Sequence, residues 1–119
     1  MPRFRDTTER AVNVPVVLVV GSTELAARCR EVVRSPRATP AHVKECDVSS
    51  TSTMVARWRP LAIVLTEDLY AFDAPEFDAL AKDVKSMLVR VQRERVTAAQ
   101  LEPMLLPALE RYWRTQAPR

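Results

Sequence analysis

Two uninterrupted apolar runs do most to limit what this chain can fold into. VPVVLVV, residues 14–20, and LAIVL, residues 61–65, contain no polar residue. A strand with one wet face alternates polar and apolar residues, so a run without alternation must be covered on both faces. That is the pattern of strands inside a parallel sheet. The first run is rich in β-branched valine, which favours a pleated backbone. It is also far shorter than the ~20 residues a membrane helix needs. Both runs stop abruptly, one at Gly21 and Ser22, the other at Thr66, Glu67 and Asp68. Open parallel sheets bind ligands outside the carboxyl ends of their strands, so these two stops are the first candidates for a site.

The segments after each run read as helices. Ser22 is placed to cap one, Glu24 lies in its first turn, and Leu25, Cys29, Val32 and Val33 recur at helical spacing to about Ser35. SPRATP is a loop, and AHVKECDV is a shorter strand with partial alternation. SSTST offers N-caps for a short helix through Met54, Val55 and Trp58 that must end before Pro60. Pro75 suits the first turn of a helix carrying Phe77, Leu80, Ala81 and Val84. In MLVRVQ, residues 87–92, apolar positions alternate with Arg90 and Gln92, which places this strand at a sheet edge. Thr97 and Gln100 have the spacing of a capping box, and Leu101, Leu105, Leu109 and Tyr112 form the stripe of a final helix. Pro103 and Pro107 fall inside it, so the helix is expected to kink or to begin later than the box suggests.

Strands alternating with helices imply right-handed parallel βαβ units, hence a doubly wound three-layer α/β/α sandwich. A length of 119 residues with 47% hydrophobic content makes one domain. Residues 13–115 are assigned to it, with a loose arm over 1–12 and a tail over 116–119. The first residues lack the apolar stretch of a signal peptide, so a cytoplasmic location is expected. Cys29 and Cys46 are too few for a disulfide framework or a four-ligand metal site and read as small buried hydrophobes. The net charge of +3 comes mostly from Arg3, Arg5, Arg111, Arg114 and Arg119. They do not cluster around a reading element, so nucleic acid is not an expected partner.

The order of elements resembles the receiver domain of two-component response regulators, the CheY-like branch of the flavodoxin-like fold. RPLAIVLT resembles the strand leading to the phosphorylated aspartate. FDAPEF resembles the Met-Asp-Gly-x-Glu-Leu stretch that follows, with Asp73, Glu76 and Phe77 in register. ERVTAAQLEPML resembles the Lys-Pro-Phe segment and the start of the last helix. In that family an acid pair holds Mg²⁺, an aspartate accepts the phosphoryl group, a Thr or Ser senses it and a lysine contacts it. The resemblance carries the acid pair to Gly21 and Ser22, the acceptor to Thr66, the lysine to Glu94 and the sensing residue near Gln92. None has the type the chemistry needs, because a hard cation wants carboxylate oxygens and an acyl phosphate needs a carboxylate nucleophile. The segment between the third helix and the last is also too short for two strand–helix units. One unit is therefore missing, and a four-stranded sheet in the order 2-1-3-4 is expected.

The resemblance thus implies a pseudo-receiver: not an enzyme, without cofactor or metal, without a small-molecule substrate and without membrane insertion. Its expected partner is another protein, or a second copy in a homodimer. The expected contact surface is Arg90, Gln92, Arg93, Arg95 and Trp113, around the edge strand and the final helix. The alternative is a phospho-switch or small enzyme using Asp68 as a surrogate acid. VVGSTE lacks the Gly-rich repeat and lysine of a phosphate loop. His42 reads as loop or strand-edge polarity and Trp58 as core. The acids Glu67, Asp68, Asp73, Glu76 and Asp78 form a group apart from Arg90, Arg93 and Arg95, an arrangement suited either to solvent or to a charged partner.

Overall fold

The structure, a computed structural model, describes residues 14–34 and 40–116. The arm expected over 1–12, most of SPRATP and residues 117–119 lie outside them. β1 (Val16–Val20) is buried along its whole length. It pairs in parallel with β2 (His42–Cys46) on one side and with β3 (Ala62–Thr66) on the other. β3 pairs in parallel with β4 (Met87–Val91), which gives a four-stranded sheet in the order β2-β1-β3-β4. This is the expected order, and it is that of a flavodoxin-like fold without its last strand.

The helices are α1 (Thr23–Val33), α2 (Thr51–Trp58), α3 (Glu67–Phe72), α4 (Ala74–Val84) and α5 (Ala98–Gln116). Because strand side chains alternate between faces, β1 and β3 each feed two cores. Val17, Val19, Ala62 and Val64 pack with Leu25 and Cys29 of α1 and with Leu101, Leu105 and Leu109 of α5. Leu18, Val20, Ile63 and Leu65 pack on the opposite face with Val55 of α2 and Phe77 and Ala81 of α4. A polar residue at any of these strand positions would be stranded in one core or the other. Each fully buried Leu, Ile or Val stabilises the fold by about 1.5–3 kcal/mol relative to exposure.

Short-range chemistry starts the helices. The Ser22 hydroxyl accepts from the Leu25 amide at 3.0 Å, opening α1. Asp47 accepts from the Ser50 amide at 2.9 Å and opens a 3₁₀ turn, Val48–Ser50, ahead of α2. Thr97 and Gln100 close a complete capping box, each side chain accepting from the other's amide at 3.1 and 3.0 Å. α5 therefore begins where the box suggests, not later, and it runs unbroken through both prolines. Pro103 and Pro107 are exposed and lie four residues apart on the water side, where carbonyls deprived of amide donors are solvated.

Three details differ from expectation. The acidic TED stretch, read only as the end of a strand, starts α3, inserted between β3 and α4. Trp58 is half-buried rather than core, with the Lys44 ammonium 4.4 Å from its ring centroid, because β2 is an edge strand and its flank stays wet. Cys29 is fully buried, but Cys46 is half-buried, its sulfur 3.9 Å from the Thr51 hydroxyl. α2 and α4 end on Arg59 and Lys85 with φ of 44° and 58°. Left-handed stops of this kind favour glycine, and a side-chain-bearing residue there costs about 1–2 kcal/mol.

The docking of α5 can be checked through one side chain. Leu105→Ala should lower the unfolding free energy by about 2–5 kcal/mol in urea titration, since Leu105 is fully enclosed. A loss below about 1 kcal/mol would mean that α5 does not complete the core.

Candidate functional site

Four of the positions that the receiver resemblance picks out, Gly21, Ser22, Thr66 and Glu94, lie at the carboxyl end of the sheet. Each is engaged locally. Gly21 ends β1 with φ of 76°, and a Cβ there would lie 2.9 Å from a methyl of Leu69. Leu69 thus lies over the end of β1, brought there by the first turn of α3. Thr66 ends β3 and caps α3, its hydroxyl accepting from the Leu69 amide at 3.3 Å. Ser22 is 8% exposed, and besides capping α1 it donates to the Glu94 carboxylate at 3.0 Å. Ser22 and Glu94, 72 residues apart in the chain, are therefore in direct contact.

The chemistry left at this end of the sheet is that of caps and lids. Thr66 and Ser22 have their oxygens committed to helix amides, and the space over Gly21 is occupied by an aliphatic side chain. Asp68 is exposed in the first turn of α3. Among the described residues, no three His, Cys, Asp or Glu side chains converge as metal ligands. The Cys29 thiol is pushed up to about 12, chiefly by burial, with Arg30 acting against the shift, so at neutral pH it is not a thiolate.

Beyond α3 the acids and arginines are not segregated as the sequence suggests. The Arg90 guanidinium lies 3.4 Å from Glu67 and 4.2 Å from the centre of the Tyr70 ring. Tyr70 in turn donates to both carboxylate oxygens of Asp78 at 2.9 and 3.0 Å, and that bond holds its hydroxyl above the usual range. Arg90 thus ties β4 to α3, and Tyr70 ties α3 to α4. An exposed pair of this sort contributes only about 0–1 kcal/mol, and the ring contact adds to it.

The open edge of β4 is the second feature of this region. The Met87 amide donates to the Leu61 carbonyl at 2.9 Å, so in a parallel strand Met87, Val89 and Val91 turn their backbone groups towards β3. Leu88 and Arg90 turn theirs outward. No backbone group among the described residues pairs with them. Where β4 runs into α5, an open groove of about 430 Å³ is lined by Arg90, Gln92, Arg93 and Arg95 together with Glu67, Leu101 and Met104. Met104 is 39% exposed, an apolar spot among cations.

Four of the five expected surface residues therefore share one groove, and Trp113 does not. It lies near the far end of α5, half-buried edge-to-face against Tyr112, which borders the start of β4. Nineteen helical residues span about 28 Å, enough to place the two at opposite ends of the sheet. The helical stripe that predicts α5 does not say which end of it meets which end of the strands. Leu69 and Tyr70 were missed as site residues. The signal for Leu69 was its position three residues after a capping Thr, and Tyr70 carried none.

Gly21→Ala should cost about 1–2 kcal/mol in chemical unfolding, mostly from the left-handed backbone, because the Leu69 methyl can swing aside. Adding Leu69→Ala should recover little of that loss; full recovery would mean that contact, not backbone, requires the glycine. Compared with protein-family models, curated proteins and solved structures, the chain matches none.

Proposed function

We propose that this chain is a degenerate receiver: a regulatory interaction module that keeps the scaffold of that family, carries out no phosphotransfer, and binds another protein along β4. The observation that carries the reading is the fate of the four positions at the carboxyl end of the sheet. Gly21 lies under Leu69, Ser22 and Thr66 cap helices, and Glu94 accepts from Ser22. A carboxylate pair for Mg²⁺, an acceptor aspartate and a cation for the phosphoryl group all need that space.

The β4 edge supports the second half of the reading. An unpaired edge strand templates the addition of another strand, with main-chain hydrogen bonds supplying affinity. Arg93 and Arg95 flank this edge, exposed and without a carboxylate partner among the described residues. An acidic extended segment of a partner suits them, since opposite charge speeds encounter and sets register. A second copy would bring the same arginines face to face, so the homodimer is the less favoured form of the contact.

Incubation with acetyl phosphate and Mg²⁺ followed by intact-mass measurement should give no adduct. A stable adduct mapping to Asp68 would replace this reading with a phospho-switch. For the docking half, light scattering at high concentration should give a monomer. The partner that co-purifies should be lost on replacing Arg93 and Arg95 by Glu, while Arg28→Glu on α1, which packs over β1 and β2, leaves it bound. Equal retention by both variants would overturn the proposal.

A further inference from the structure

The amino end of the sheet holds a cluster that the reading above does not use. Arg59, Lys85 and Arg111 line one groove of about 240 Å³, walled also by Pro60, Met87 and Tyr112. They come from three separate elements: the stop of α2, the stop of α4 and the last third of α5. No acidic side chain lines the groove, and none of the three cations has a carboxylate partner among the described residues. Elsewhere the described arginines close to acids do pair, as Arg28, Arg30 and Arg90 show. Three like charges around one small hollow repel each other, and an anion between them removes the repulsion.

A further observation points the same way. Arg59 and Lys85 are the non-glycine residues with positive φ among those described, and both positions would suit glycine. A cation therefore stands at both of these positions, where the backbone prefers no side chain at all. Leu61, Val84 and Ala108 complete the lining with apolar side chains.

We infer that this groove binds a small phosphate ester, its phosphoryl group between Arg59, Lys85 and Arg111 and its organic part against Pro60 and Met87. A phosphate monoester carries about −1.5 to −2 charge at neutral pH, which matches three cations better than a single carboxylate does. Such a ligand departs from the expectation that only a protein binds this chain. The site is independent of the β4 edge, at the other end of the strands.

The glycine preference makes the test clean. Arg59→Gly and Lys85→Gly each remove a cation while relaxing the backbone, so neither should lower the melting temperature. Calorimetric titration of the full chain with phenyl phosphate, inorganic phosphate and benzoate should show phenyl phosphate binding tightest. Each glycine variant, and Arg111→Gln, should weaken it by at least about fivefold, and raised salt should weaken it further. Equal binding of inorganic phosphate would assign the site to free phosphate instead of an ester, still through the same three cations. Benzoate binding as tightly as phenyl phosphate would overturn the phosphoryl assignment. No binding by about 10 mM, or binding that the three variants leave unchanged, would overturn the site.

Discussion

Everything else in this fold depends on burying β1 and β3 from both sides. Val17 and Val19 face one helical layer while Leu18 and Val20 face the other, and β3 repeats the pattern. Because no strand face of this pair meets water, helices must lie on both faces, and consecutive strands must run parallel with helical crossovers. Chemistry is thereby pushed to the two ends of the strands and to the sheet edges, the places where backbone and polar groups remain accessible.

At the carboxyl end that accessible space has been filled from within. α3 begins immediately at the end of β3, so its first turn carries Leu69 over Gly21 and commits Thr66 to capping. The Ser22–Glu94 bond links α1 to the loop before α5 at the same end of the sheet. The result is a sheet end held by caps and an aliphatic lid. The polarity of TED, taken alone, suggests an acidic site; the helix it starts turns Asp68 to solvent and Glu67 to Arg90.

Charge is then distributed by elements rather than by sequence neighbourhood. Arg90 joins Glu67, Tyr70 and, through Tyr70, Asp78, whereas Arg93 and Arg95 remain beside the open edge of β4. At the opposite end Arg59, Lys85 and Arg111, from positions far apart in the chain, line a single hollow. The two basic surfaces differ in kind: one follows an unpaired strand, the other surrounds a small cavity.

The sequence by itself determined the layers and the four strands, while their order was an expectation drawn from the receiver resemblance. Uninterrupted apolar runs, alternation in MLVRVQ, and capping residues at Ser22 and Thr97 are local signals with local physical causes, and periodicity carries them without knowledge of the fold. The final helix shows the limit of such signals. Its box and stripe were legible, but the tolerance of Pro103 and Pro107 depended on their facing water, which only packing decides. Tertiary structure alone decided the sites. Contacts such as Ser22 with Glu94, Leu69 over Gly21, Arg90 on Tyr70, and three cations around one groove join residues from different elements. No spacing in a linear chain encodes which ends of those elements will meet.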